Sequence, residues 1–309
     1  MTRQLRFIKL DVFTSTPFVG NPLAIVHVPS TVDLSQTEKQ LIAREFNLSE
    51  TVFHHEQDAP GTSPVVIDIF TTTEELPFAG HPTVGSGFFL LSRAPPDQET
   101  VTLRTKAGDI PVVRGSGGPS HVRLQVPIDF KVHAPLAIPS VKQLQPQLAD
   151  ADYAHGRSGA EACASVVKGM TFLLVALTSE DALARVQPYP TRLRIPDARA
   201  RLGAWGVGFA GIYMFHERAD GVVRVRMFDG PLEDPATGSA ASTLGGWLAL
   251  RRGPGVHAFD LQQGIEMGRR SDIRVVVTVG KGKDTDELEV EKIELEGAAV
   301  QVMEGTVNI

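Results

Sequence analysis

The sequence predicts an α+β protein built as two like halves, and three observations carry that prediction. Short β-type runs alternate with turn signals along most of the 309 residues. Helical patterns interrupt them rarely. A strand–loop–helix unit occurs twice at a fixed spacing: Phe70 and Phe228, Glu75 and Glu233, Gly80 and Gly238 each differ by 158 positions.

The strands of the first half read as RFIKLDVF (6–13), LAIVHV (23–28), VVIDIF (65–70), TVTLRT (100–105) and VRLQV (122–126). Those of the second read as MTFLLVAL (170–177), AGIYMF (210–215), VVRVRMF (222–228), IRVVVTV (273–279) and ELEVEKIEL (287–295). The first helix, SQTEKQLIAREFN, opens on a capping box of Ser35 and Glu38 and closes at Asn47. In PTVGSGFFLLSR, Val84, Phe88 and Leu91 share one helical face and Pro82 suits the first turn. A third helix runs through SAASTLGGWLAL. SETVFHHE resembles AGIYMFHE, three residues out of step with the other spacings. We read an ancient duplication into residues 1–128 and 129–309, joined near PIDFKVHAPLAIPS, where proline and lost periodicity suggest a linker.

Composition narrows the class. With 42% hydrophobic and 21% charged residues, the chain is that of a soluble globular protein. A net charge of −6 gives no global attraction for nucleic acid. No signal peptide is visible at the start, and runs such as FLLVAL are too short to cross a bilayer, so no membrane role is expected. The single cysteine, Cys163, excludes intrachain disulfides and cysteine metal clusters. It reads as a small buried filler in a reduced, cytoplasmic setting.

Each repeat ends in a glycine-centred loop at a helix N-terminus, LPFAGHPT and EDPATGSA. Such a terminus offers unpaired N–H groups and partial positive charge, and glycine lets a ligand approach the backbone. Paired across a domain cleft, Gly80 and Gly238 would hold a small anion such as a carboxylate. The halves differ where chemistry would occur. Glu50 has Gly211 as its counterpart, and Asp234 has Leu76. One unique carboxylate per half suits proton removal and return at a carbon acid. Simpler readings stand beside this one. Glu50 caps or pairs, Asp234 before Pro235 starts a turn, and His81 and Ser239 start helices. The repeated Glu75 and Glu233 read as scaffold that ties down the loops. No phosphate-binding loop, nucleophile elbow, zinc-protease motif or dinucleotide fingerprint is present, and His54 and His55 point to opposite strand faces. No cofactor and no metal are expected.

The blocks DVFTSTPFVGNPLAIV, NLSETVF, IFTTTEELPFAGHPTVG, EDPATGSAAS and GIEMGR together resemble the PhzF family, the phenazine-biosynthesis-like isomerases. The matching blocks run in the family's order from about Asp11 to about Arg269. The resemblance implies a diaminopimelate-epimerase-like fold: two pseudo-symmetric domains, each a β-barrel-like sheet around a central helix, with the active site between them. It implies that the closing strand, about 296–309, returns to the first domain. It further implies a cofactor-independent homodimer acting on a small carboxylate-bearing substrate. Carried over by position, Glu50 would be the general acid/base, with Asp234 and His81 orienting the substrate and assisting transfer. Asn21, Gly80, Gly238 and Ser239 would bind it. Epimerase cousins use one thiol per domain, where this chain has Ala79 and Thr237. That excludes two-cysteine epimerisation. The leading expectation is a proton-moving isomerase. A carboxylate-based racemase or epimerase of an amino-acid derivative, and a non-catalytic interaction protein, stay open.

Overall fold

The computed structural model describes residues 3–57, 64–206, 208–282 and 286–309. The chain divides into two compact units, residues 1–125 with 295–309, and residues 126–294.

The first unit runs β1 (Gln4–Val12), β2 (Asn21–Val28), α1 (Gln36–Phe46), β3 (Thr51–His55), β4 (Val65–Phe70), β5 (Glu75–Leu76), α2 (Gly80–Leu91), β6 (Thr100–Thr105), β7 (Gly108–Arg114) and β8 (His121–Gln125). The second runs β9 (Lys131–Leu136), α3 (Pro139–Gln143), β10 (Glu161–Val167), β11 (Met170–Ala176), α4 (Glu180–Arg185), α5 (Ala198–Leu202), β12 (Phe209–Glu217), β13 (Val223–Asp229), β14 (Leu232–Asp234), α6 (Gly238–Arg252), β15 (Gly255–Gln263) and β16 (Ser271–Lys281). A 21-residue strand, β17 (Leu288–Asn308), starts in the second unit and ends in the first.

In the first unit the pairing order β1–β2–β3–β4–β6–β7–β8–β17 returns to β1, so eight strands close a barrel. Closure leaves no unpaired edge. Two pairs are parallel, β2 with β3 and β4 with β6. In the second unit the order is β9–β10–β11–β12–β13–β15–β16, with β11 parallel to β12 and β13 parallel to β15. The duplication is therefore written in register. Val65 faces Leu103 in one unit and Val223 faces Leu261 in the other, both shifted by 158. Thr51 faces Phe70 and Ile212 faces Phe228, which reproduces the three-residue slip of β3 against β12.

Helix α1 keeps both predicted caps. Ser35 and Glu38 form the capping box, and Asn47 ends the helix in the left-handed region at φ 50°. Helices α2 and α6 are the central helices of the two units. Nearly every side of α2 is buried, because it packs on β1, β2, β3, β6, β7 and β8. A helix so enclosed needs small residues: a Cβ on Gly87 would lie 2.4 Å from Val112 Cγ1, and one on Gly245 would lie 2.9 Å from Val275 Cγ1. Cys163 is fully buried in β10, and burial pushes its thiol up to about 12, the chemistry of a core filler.

One expectation needs correction. The stretch 127–140, read as linker, carries β9, which pairs with β10 just as β17 pairs with β1. Its sequence KVHAPL contains a proline and no clean alternation, so pattern alone passes over it. Among the described residues no helix is long and apolar enough to cross a membrane, and no cluster of three or more His, Cys, Asp or Glu side chains forms a metal site.

Candidate active site

In the first unit three segments converge at the start of α2. Helix α1 stops at Asn47, whose N–H donates to Ala43 O at 3.1 Å, and the chain turns through Ser49 and Glu50 into β3. Because β3 runs parallel to β2, with Thr51 beside Ala24, Glu50 arrives near Asn21, the first residue of β2. Helix α2 contributes His81 from its second position.

There Glu50 Oε2 lies 2.9 Å from His81 Nδ1, and His81 Nε2 lies 3.2 Å from the Asn21 carbonyl oxygen. Ser49 Oγ donates to Asn21 Oδ1 at 3.3 Å. The His81 side chain is 3% exposed and that of Glu50 18%. A backbone carbonyl only accepts, so His81 Nε2 carries its proton. The Nδ1–Oε2 contact then holds one proton, on either the imidazole or the carboxyl. Burial pushes the Glu50 carboxyl up, but the hydrogen bond and charge of His81, with Ser49, outweigh burial and hold it below its ordinary value. A carboxyl held low favours its ionised form, and the two side chains share the proton of this contact.

The second unit arranges its loop differently. Arg226 on β13 donates through Nε and Nη2 to both oxygens of Glu233 at 2.7 and 2.8 Å. The same guanidinium caps the C-terminal end of α4 through the carbonyls of Leu183, Ala184 and Val186. In the first unit Glu75 pairs instead with Lys106 Nζ at 2.5 Å. Both repeated glutamates thus tie down their loops. Asp234 follows, half-buried, and accepts from Thr237 Oγ1 at 2.5 Å. Gln263, fully buried at the end of β15, bridges the Asp234 carbonyl and Thr237. The GIEMGR turn begins at Gly264, with φ +72°, where a Cβ would meet the Pro235 carbonyl at 2.7 Å. Close approach of the two loops is why that residue has no side chain.

Ala79 and Thr237 are the N-cap residues of α2 and α6, and neither side chain bonds its own helix terminus. The first intrahelical N–H donors are Thr83, to Ala79, and Ala241, to Thr237. The N–H groups of Gly80 and His81, and of Gly238 to Ala240, precede them at the dipole's positive end. The structure therefore gathers Glu50, His81, Asn21 and Gly80 in one unit, and Asp234, Gly238 and Ser239 in the other. Sequence reading missed Gln263, Tyr213 and Arg226. Their only signal is position: Gln263 directly precedes GIEMGR, and Arg226 lies seven residues before Glu233.

Comparison with known proteins matches residues 10–305 to the model of a family described as phenazine biosynthesis-like protein. An uncharacterized isomerase of Pasteurella multocida is 34% identical, over 87% of this chain and 85% of that protein. A trans-2,3-dihydro-3-hydroxyanthranilate isomerase of Pseudomonas aeruginosa is 33% identical, over 86% of this chain and 88% of its own. Among solved structures, a Bacillus anthracis phenazine biosynthesis protein of the PhzF family superposes with a TM-score of 0.75, covering 99% and 100% of the two chains at 22% identity.

Proposed function

Since the chain belongs to the phenazine biosynthesis-like protein family and is an isomerase, we propose that Glu50 is the general acid/base that moves a proton between carbon atoms of a small carboxylate-bearing substrate. The observation that carries this reading is the Glu50–His81 contact, with His81 Nε2 anchored on the Asn21 carbonyl. An ionised carboxylate is ready to take a proton from carbon, and once protonated it is acidic enough to return it elsewhere. His81, in contact with the same carboxylate, fixes its direction during the transfer. No group other than protein is required by this sequence of steps.

Supporting roles follow from chemistry. The N–H groups at Gly80, and those at Gly238, are each suited to a carboxylate, which acidifies the carbon next to it when its charge is neutralised. Asp234 and His81 would orient the substrate, Ser239 would hydrogen-bond it, and Asn21 would line its pocket. Trans-2,3-dihydro-3-hydroxyanthranilate, the compound in the relatives' name, is the first substrate to try.

The test is enzyme-dependent entry of solvent deuterium into that compound and a panel of cyclic and amino-acid carboxylates. Glu50→Gln is expected to keep the fold and to lower turnover by about 10²-fold or more, the range for general acid–base catalysis. Unchanged turnover in this variant overturns the assignment. Exchange at the α-carbon with loss of chirality would replace isomerisation by racemisation.

A further inference from the structure

Tyr213, Asp234, Thr237 and Gln263 form one hydrogen-bonded chain in the second unit, fully buried at Tyr213 and Gln263 and half-buried at Asp234 and Thr237, and its donors and acceptors can be assigned. Gln263 Nε2 donates to the Asp234 carbonyl at 2.7 Å and to Thr237 Oγ1 at 3.0 Å. Gln263 Oε1 accepts from Thr237 N at 3.2 Å and from the Tyr213 hydroxyl at 3.1 Å. A carbonyl cannot donate and a backbone N–H cannot accept, so the amide has only this orientation. All four of its bonds are used. Thr237, already accepting from Gln263, spends its own proton on Asp234 Oδ2 at 2.5 Å. Burial, then the charge of Asp234, push the Tyr213 phenol well above its ordinary value, so Tyr213 remains the donor at the chain's far end.

The internal repeat supplies a control. At the matching register positions the first unit has Val52 for Tyr213, Leu76 for Asp234, Ala79 for Thr237 and Thr105 for Gln263. Thr105 turns back on its own hairpin, where Oγ1 donates to Gly108 O at 3.1 Å. The barrel therefore folds without any of the four. They differ together, and in the second unit they all lead to one carboxylate oxygen.

Resting on the proposed role of Asp234, we propose that Gln263 and Thr237 are positioning residues that hold one oxygen of the Asp234 carboxylate in a single orientation, with Tyr213 fixing the Gln263 amide. Each bond to a carboxylate oxygen narrows rotation about the terminal torsion, and a misplacement of about 1 Å can cost about 10²-fold in rate. The chain cannot pass protons, because the amide neither gains nor loses one at these pH values. Its role is geometric.

Thr237→Val keeps shape and backbone and removes only the hydroxyl, whereas Thr237→Ser restores it. In the full-length protein labelled with ¹³C at aspartate carboxyls, the titration of Asp234 is expected to move upward in Thr237→Val and to stay in place in Thr237→Ser. This reading needs no substrate. An unmoved midpoint in Thr237→Val overturns the inference. With a turned-over carboxylate, kcat is expected to fall about tenfold in Thr237→Val, with KM little changed, and to recover within about twofold in Thr237→Ser. Tyr213→Phe is expected to give a smaller loss of the same kind. Equal losses in the valine and serine variants, or a KM effect alone, would reduce the network to a fold element. Full turnover in Asp234→Asn would instead sink the role of Asp234, whatever the titration shows.

Discussion

Strand β4 and strand β13 occupy the same place in the two repeats, and at one matched position they carry opposite charges. Asp68 stands opposite Phe53 in the first unit, and Arg226 opposite Met214 in the second. Asp68 accepts from Lys39 of α1 and lies 2.7 Å from His55 Nε2. Arg226 caps α4 and clamps Glu233. Backbone register survived the divergence of the halves while the wiring inverted. A strand position specifies that something buried must tie the preceding helix to the sheet, not which sign of charge does so. The inversion also frees the two loops to diverge. Glu233 is gripped from the core of its unit, whereas Glu75 is held by a lysine at the next hairpin.

The comparison can be broken at Arg226. Arg226→Met leaves the Glu233 carboxylate and three helix-end carbonyls without their donor, which should destabilise the protein by about 3–5 kcal/mol. Lys106→Met, removing the more exposed partner of Glu75, should cost about 1 kcal/mol or less. Urea unfolding of the two variants measures the contrast, and equal costs would contradict it.

A second test grafts one unit onto the other. His54 lies 6.0 Å from the Phe89 ring, and its counterpart Phe215 lies 6.0 Å from Trp247, the counterpart of Phe89. His27 completes the first stack at 5.4 Å from His54. Burial first, then the neighbouring His27 and His55, lower His54 from 6.5 to about 4. The unfolded chain therefore binds this proton before the folded one does. Its neutral stacked form contributes fully above pH 6.5 and is progressively undermined as pH falls toward 4. His54→Phe should raise stability relative to the native chain in that window, by up to about 3 kcal/mol, and change little at pH 7.5. Melting temperatures of both proteins between pH 4 and 8 decide it.

The smallest contrast lies in the central helices. Gly87→Ala presses a Cβ against the stiff Val112 more closely than Gly245→Ala does against Val275. Overpacking of this kind costs about 1–3 kcal/mol, with the larger value expected at Gly87. A larger loss at Gly245 would mean that the second unit is the tighter of the two.

Most of the fold was legible because its signals are local or repeated. The Ser35–Glu38 cap, the αL Asn47, the 158-residue offset and the three-residue slip at β3 all stand in the sequence and recur in the register. Glu50 and Asp234 stood out because the other half lacks them. Their surroundings were less legible. Gln263 reaches Asp234 and Tyr213 across 29 and 50 residues, and nothing in a window of sequence reports such a distance. Strand β9 was hidden by Pro135 and an irregular burial pattern.

Strand β17 has a consequence for how the protein is made. The first unit's barrel closes on residues 295–309, so its β1 and β8 edges await a partner while residues 126–294 are still being synthesised. At typical ribosome speeds that interval is on the order of ten seconds or more. The half that emerges first is therefore the half that is finished last, and an open-edged sheet is the nascent chain's point of exposure to chaperones and to other copies of itself.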